Sequence, residues 1–199
     1  DRAQAAAESY IGLVETGVGL VPAGGGTKEM LARAMEAAPP GATDLVSIVR
    51  PVFETIGFAK VSASAADARR LGFFREADGV TMNRERLVHD AKQTALALAR
   101  DYRPPPPRAA IRVGGEDVLA ALRLGLHLAW RAGHISDHDR LVGEKLAWIL
   151  AGGDLPHPAY VTEQYLLDLE REAFVSLCGE RKTQERIAHT LKTGKPLRN

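Results

Sequence analysis

The sequence predicts a mainly α-helical fold with a small β part. Apolar residues recur at helical spacing over most of the chain from residue 27 onwards, whereas the segments that favour strands are short. Four consecutive prolines at 104–107 interrupt this pattern and favour a stiff extended spacer. We therefore expect one region at 1–103, a linker at 104–107 and a helical C-terminal region at 108–199.

Composition excludes several classes of function. The formal net charge of +1 creates no field that would attract nucleic acid or an anionic membrane. No apolar run approaches the roughly 18 residues needed to span a bilayer, and no signal peptide is visible. A single cysteine, Cys178, allows neither an internal disulfide nor a thiolate metal site, and it suggests a cytoplasmic location. Because the chain begins with Asp1, not Met, and enters ordered-looking sequence at once, we expect it to be part of a longer protein.

The first 40 residues combine a short strand, a glycine-rich loop and a helix. Residues 8–14 are rich in β-compatible residues, which predicts a strand ending near Glu15. An irregular loop follows, because glycine and proline are frequent in it. Helical spacing of apolar residues predicts a helix that begins near Gly25 or Gly26 and stops at the Pro-Pro-Gly sequence at 39–41.

The next segment, up to the prolines, is predicted to be mostly helical. A helix is predicted over 44–56 that either begins or kinks at Pro51, and 58–61 reads as extended. Ser64 opens a short helix with capping-box spacing, in which Asp replaces the usual Glu. A strand or a turn follows that short helix, and Asn83 is the predicted N-cap of a helix over 84–101.

Everything beyond the prolines is predicted to be helical. A first stripe of apolar residues lies at helical spacing: Val118, Leu119, Leu122, Leu126, Ala129 and Trp130. Ser136 is the predicted N-cap of a helix over 137–151, and Thr162 caps one over 163–178. A last helix over 180–193 closes the chain.

The glycine-rich loop does not match the common phosphate-binding motifs. The Thr-Lys order after Gly26 is wrong for a Walker loop, and Pro22 occupies the third glycine position of a Rossmann fingerprint. What remains is a carboxylate, Glu15, followed by a helix N-terminus whose backbone N–H groups attract an anion or a polarised water. The alternative is a tight turn with a solvent-facing Glu15.

Several motifs indicate a family. Gly12-Leu-Val-Glu15, Gly19-Leu-Val-Pro22 and Gly24-Gly-Gly-Thr27 resemble the second signature of the crotonase (enoyl-CoA hydratase/isomerase) superfamily, and Ser64-Ala-Ala-Asp-Ala68 resembles a later crotonase segment. The rest is similar to the C-terminal region of bacterial fused 3-hydroxyacyl-CoA dehydrogenase/enoyl-CoA hydratase chains. Three segments carry this second resemblance: Gly133-His-Ile-Ser136-Asp-His-Asp139, Leu167-Asp-Leu-Glu-Arg-Glu-Ala-Phe174, and Lys182-Thr-Gln-Glu-Arg186 with Thr193-Gly-Lys-Pro-Leu-Arg-Asn199.

The resemblance implies that the chain is the second half of a crotonase-like domain with a helical extension. Glu15 matches the second of two catalytic glutamates, and the N–H groups at Ala23 and Gly24 match the place that holds the added water. The first glutamate, the oxyanion hole and the NAD site of the parent would precede Asp1. We therefore expect an acyl-CoA substrate and NAD for the parent, no cofactor bound by this chain, and no activity in the chain alone.

An alternative is a non-catalytic helical assembly module. The crotonase strand before the glycine loop pairs with upstream strands, and an unpaired apolar edge invites association, so we expect an oligomer. An upstream coding segment with a Gly-Gly-Gly-x-Glu element would favour the enzyme over the module.

The remaining polar clusters have ordinary explanations. His134, Asp137, His138 and Asp139 have the residue types of metal ligands, but Ser136 with Asp139 is a helix-cap signature, so we expect no metal.

Three other features lie near the C-terminus. Cys178 is expected to be a core thiol, and Trp130 and Trp148 to be core residues. The tail cations Lys192, Lys195 and Arg198 either touch coenzyme A phosphates or are solvated.

Overall fold

The computed structural model describes residues 1–199 and is mainly α-helical with four three-residue strands, which confirms the mainly α fold class. No helix combines the length and the apolar composition needed to cross a membrane. The elements are, in chain order, β1 (Gln4–Ala6), α1 (Gly26–Glu36), α2 (Leu45–Gly57), α3 (Ala65–Arg70), β2 (Gly79–Thr81), α4 (Leu87–Ala99), β3 (Ile111–Val113), α5 (Gly115–Arg131), α6 (Asp137–Ala151), β4 (Ala159–Val161), α7 (Glu163–Cys178) and α8 (Arg181–Thr193). Single 3-10 turns lie at Glu15–Val18 and Arg84–Arg86.

The chain forms two compact units. The first unit comprises Asp1–Gly12 and Val61–Pro107, and the second comprises Leu13–Lys60 and Arg108–Asn199. The break between Pro107 and Arg108 coincides with the end of the proline spacer. The predicted division into 1–103, 104–107 and 108–199 otherwise stays a prediction, as does a crotonase-like origin for the first region.

In the first unit, β1 and β2 form a two-stranded parallel sheet in which Ala5 pairs with Val80, and α4 packs on β1. The strand predicted over 8–14 is wrong, because the only pairing in that segment is a single bridge between Gly12 and Val61. The hydroxyl of Ser62 accepts the N–H of Ile11 at 3.0 Å, so a side chain takes a donor that a strand ladder would need.

The second unit is built from six helices, α1, α2, α5, α6, α7 and α8, and from the antiparallel pair β3–β4. The expectation that everything after the prolines is helical is therefore wrong. Ile111-Arg-Val113 alternates buried and half-buried residues, which is strand periodicity too short to recognise from sequence alone. The largest fully buried apolar side chains are Leu31, Ile56, Leu146, Ile149, Leu150, Leu166 and Leu177.

Helix starts follow the sequence signals closely. Ser136 and Asp139 form a complete capping box at the start of α6, and Thr162 caps α7 by accepting the N–H of Tyr165. Asp44 caps α2, which runs through the exposed Pro51 and does not begin there. The helix predicted over 84–101 instead starts with the 3-10 turn, and α4 ends at Ala99.

The predicted core positions near the C-terminus need correction. Cys178 is exposed, so the expectation of a core thiol is wrong. The apolar stripe of α7 reaches its last buried position at Leu177, and the next residue points about 100° away around the helix. Trp130 and Trp148 are only half-buried, and the indole N–H of Trp130 donates to Asp137 Oδ1 at 2.7 Å.

Candidate functional site

The glycine-rich segment of the second unit folds back on itself. A Cβ atom added to Gly26 would lie 2.9 Å from Cδ2 of Leu13 and 3.2 Å from Cβ of Pro22, so glycine permits this close approach. The hydroxyl of Thr27 donates to the carbonyl of Pro22 at 2.9 Å. These contacts bring the two ends of residues 13–27 together and close the loop that carries Glu15, Ala23 and Gly24.

Glu15 is the first residue of the 3-10 turn, and its carboxylate is partly shielded from solvent. The turn is anchored by Thr16, whose hydroxyl donates to the carbonyl of Ile56 at 3.0 Å in a buried bond. Glu15 Oε2 is buried and has no hydrogen-bond partner in the protein. Since nearly all buried polar atoms are hydrogen-bonded, this oxygen is an acceptor available to a molecule other than the protein. The arrangement differs from a solvent-facing glutamate in a simple turn.

The N-terminus of α1 is capped by the protein itself. The carboxylate of Glu170, fully buried on α7, accepts the N–H of Gly25 at 2.8 Å and the N–H of Lys28 at 2.6 Å. Burial raises the pKa of Glu170, and these N–H bonds oppose that shift. The expected open anion site at this terminus is therefore wrong, because the chain supplies its own anion. The half-buried Ala23 and the exposed Gly24 lie just before the capped turn.

Hydrogen bonds connect Gly19, on the other side of the loop, to α6 and α8. Its carbonyl accepts the hydroxyl of Thr183 at 2.8 Å, and Thr183 Oγ1 lies 2.8 Å from Nε2 of His138. Because Thr183 uses its proton on Gly19, Nε2 of His138 must donate the second bond. Gly19 has φ of 82°, and a Cβ there would lie 2.8 Å from Thr183 Oγ1. Burial, with help from nearby Arg186, lowers the pKa of His138 and favours the neutral ring.

The other members of the His/Asp cluster serve the helix and its neighbours. Asp139 completes the α6 capping box and bonds Nη1 of the buried Arg186 at 2.7 Å. Nε of Arg186 donates to Asn199 Oδ1 at 2.9 Å, which ties the end of the chain to α8. No group of three or more His, Cys, Asp or Glu side chains is arranged to hold a metal ion.

An ion-pair network runs along α1 from its first turn to its last residue. Lys28 bonds to Glu163, and Arg108 bonds to Glu29 at 2.7 Å and to Glu36 at 2.7 Å. Burial alone would raise the pKa of Glu29, but hydrogen bonds from Arg108 and Arg33 lower it to about 2. The network attaches the first residue after the prolines to α1.

Sequence reasoning missed Glu170, Thr183 and Arg186. A signal for Glu170 was present, because it lies among Leu166, Leu169, Ala173 and Leu177 on the apolar stripe of α7. A charged residue on a buried stripe needs a partner. For Thr183 and Arg186 the partners are distant in sequence, and helix periodicity carries no signal for them.

An open cavity of about 630 Å³ lies next to the 3-10 turn. Thr16 and Gly17 line one part of it, and the other walls come from α2, α5, α6 and the C-terminal residues. The lining is mostly apolar, with side chains such as Phe53, Leu126 and Val142. Sites for small organic ligands typically have volumes of about 300–1,000 Å³.

The whole chain is similar to a curated protein of Bacillus subtilis (strain 168) named "Probable 3-hydroxyacyl-CoA dehydrogenase". The two are 46% identical over 198 residues, a match that covers 100% of this chain and 25% of that protein. The chain thus spans about a quarter of the length of this relative. No protein-family model matches the chain. No solved structure matches it.

Proposed function

We propose that the chain works as part of a longer enzyme of fatty-acid oxidation and carries the hydratase portion of it. Identity of 46% along the whole chain with a protein named as a 3-hydroxyacyl-CoA dehydrogenase supports the metabolic context. In this proposal the parent oxidises 3-hydroxyacyl-CoA with NAD, and the dinucleotide is bound by a part of the parent other than this chain. Hydration of trans-2-enoyl-CoA, which produces the 3-hydroxyacyl-CoA, is assigned to the region around Glu15.

The observation that carries the hydratase assignment is the buried, unpartnered Oε2 of Glu15. Hydration adds the oxygen of water to C3 of the enoyl thioester and a proton to C2. A carboxylate whose oxygen is shielded and not bonded to the protein is suited to hold that water and exchange a proton with it. The N–H groups of Ala23 and Gly24, on the same closed loop, are proposed to help hold the water.

The loop supports this role because it is held from both sides. Glu170 fixes the helix that follows Ala23 and Gly24, and the Thr183–His138 pair fixes Gly19. Catalytic groups need such fixed positions, since misplacement of about 1 Å reduces the rate by about 100-fold. Stabilisation of the thioester oxyanion is assigned to the parent beyond this chain, so the 199-residue chain alone is expected to be inactive.

The test is Glu15→Gln in the full-length protein that contains this chain. We expect hydration of crotonyl-CoA to fall by roughly 10²–10⁴-fold, since one carboxylate engaged in proton transfer contributes about that much. NAD-dependent oxidation of 3-hydroxybutyryl-CoA should be nearly unchanged. Both reactions are followed spectrophotometrically.

Glu116→Gln, an exposed carboxylate at the start of α5, is the matched control and should leave both rates unchanged. Equal loss of both activities in Glu15→Gln would mean that Glu15 is a structural residue. Crotonyl-CoA hydration by the 199-residue chain alone, above its Glu15→Gln variant, would contradict the expected inactivity.

A further inference from the structure

The cavity beside the 3-10 turn is bordered by apolar side chains that the fold leaves uncovered. Phe58 is 64% exposed, Leu124 59% and Leu128 60%, and all three line the cavity. A single exposed leucine needs no explanation, but three around one concave, mostly apolar site do. The cavity therefore has the surface of a site for an apolar ligand.

Gly125, on the α5 wall of this cavity, has no packing reason to be glycine. A Cβ atom added there would meet no heavy atom within 4 Å, and its backbone is not in the left-handed region. Gly143 on α6, which also lines the cavity, is different. A Cβ atom there would lie 2.5 Å from Cδ2 of Leu126, so glycine is needed for packing. Glycine inside a helix is destabilising relative to alanine. The missing side chain at Gly125 therefore leaves open space at the cavity wall.

The position and the charges of the cavity restrict what the ligand is. Thr16 and Gly17 line it and directly follow Glu15 in the sequence, so the cavity reaches the 3-10 turn that begins with Glu15. Arg50 and Arg198 contribute to its lining, together with Glu54. Arg50 and Arg198 are exposed, whereas the buried Arg186 in the lining is paired with Asp139. An apolar space with an excess of positive charge fits a molecule with an apolar chain and an anionic part.

We propose that this cavity binds the acyl chain of the coenzyme A thioester and that Gly125 sets the accepted chain length. The inference rests on the proposed function, because it places the reacting end of the acyl group near Glu15. Long chains gain affinity from burying methylenes against Leu126, Leu128 and Val142. Short chains leave most of the cavity empty and depend little on it.

The experiment uses the full-length protein and compares trans-2-dodecenoyl-CoA with crotonyl-CoA in the hydration assay. Gly125→Leu should lower the ratio of kcat/KM for the long substrate to that for the short one by at least about 10-fold, as expected when a pocket loses room for the chain. Ala120→Leu is the matched control, because Ala120 is exposed on the same helix and does not line the cavity. Its ratio should stay at the wild-type value.

A second variant keeps the proposal testable if Gly125→Leu does not fold. Leu128→Glu changes a side chain that is already 60% exposed, and its charge in the cavity wall should also lower the ratio. Unchanged ratios in both variants, while Glu15→Gln abolishes hydration, would overturn the acyl-chain site and leave the proposed function standing. Full hydration in Glu15→Gln would instead refute the proposed function.

Other occupants give different results. If the cavity face is an interface with a second copy, Gly125→Leu changes the sedimentation coefficient and leaves the substrate ratio unchanged. If another segment of the longer protein fills the cavity, Gly125→Leu lowers the thermal midpoint and again leaves the ratio unchanged. Either result would overturn the proposal.

Discussion

The two units differ in what they bury. The second unit encloses large apolar side chains such as Leu31, Leu150 and Leu177. In the first unit the only buried apolar residues are Ala5, Ala65 and Ala68. Helix α4 of the first unit has no buried residue at all, and Val88 and Leu96 are exposed on it. Since burial of apolar area is the main stabilising term in folding, the second unit is expected to be the more stable one.

Hydrogen bonds hold the first unit where apolar contacts do not. The carboxylate of the buried Asp78 accepts the N–H of Ala3 at 2.9 Å and the N–H of Arg75 at 2.7 Å. The net contribution of such bonds to stability is small, because the same groups bond to water in the unfolded chain. The comparison shows that apolar residues at helical spacing predict a helix, but they do not predict that the apolar face of that helix is buried.

The largest expected effect on the free energy of unfolding comes from truncating a core side chain in the second unit. Truncation of a surface side chain in the first unit is the comparison. Leu150→Ala on α6 removes a fully buried side chain and should lower the free energy of unfolding by about 2–5 kcal/mol. Leu96→Ala on α4, where the side chain is 53% exposed, should change it by less than about 0.5 kcal/mol. Urea unfolding of the chain measures both. A comparable loss in Leu96→Ala would show that something covers the α4 face and would break the comparison.

A smaller effect concerns the buried carboxylate that caps α1. Glu170→Gln replaces an ionic acceptor of two N–H groups with an amide, whose NH₂ group faces one of these donors. We expect a loss of about 1.5–3 kcal/mol in the free energy of unfolding near pH 7. Glu172→Gln, exposed on the same helix, is the control and should have little effect. Equal stability of the two variants would mean that the apolar contacts of the second unit suffice without this cap.

The smallest expected effect comes from comparing a partly buried ion pair of the second unit with an exposed ion pair of the first. Glu29→Gln keeps one acceptor oxygen but removes the negative charge and the second oxygen that accept from Arg108 and Arg33, and it should cost on the order of 1–2 kcal/mol at neutral pH. The pKa of Glu29 is lowered in the folded protein from 4.5 to about 2, so its contribution is present above about pH 4.5 and is lost as the pH falls towards 2. The difference between wild type and variant should therefore vanish over that interval.

The control is an exposed pair of the first unit. Arg70→Gln breaks the bond to Asp67, in which the arginine side chain is 73% exposed, and should leave the urea midpoint nearly unchanged. Unfolding by urea at several pH values gives both comparisons. A difference for Glu29→Gln that persists at pH 2 would mean that the residue acts through packing.

Signals confined to a few consecutive residues predicted the structure well. The helix starts at Ser64, Ser136 and Thr162 are confirmed, because a cap depends on side-chain oxygens within one turn of the helix. The start of α1 at Gly26 is also confirmed, but there the spacing of apolar residues gave the signal, since the cap comes from the distant Glu170. The strand predicted over 8–14 is wrong, because strand formation depends on a partner that local sequence does not specify.

The sequence by itself determined the mainly helical class, most helix starts and the residues of the closed glycine loop. Only the tertiary structure decided that Glu170 occupies the N-terminus of α1, that His138 bonds to Thr183 and that Thr16 and Gly17 line an apolar cavity. Helix propensity and capping act within a turn or two, so they can be read along the chain. The bond from Lys28 to Glu170 joins residues 142 positions apart and the bond from Thr183 to Gly19 joins residues 164 positions apart, and both form only because packed helices bring those residues together.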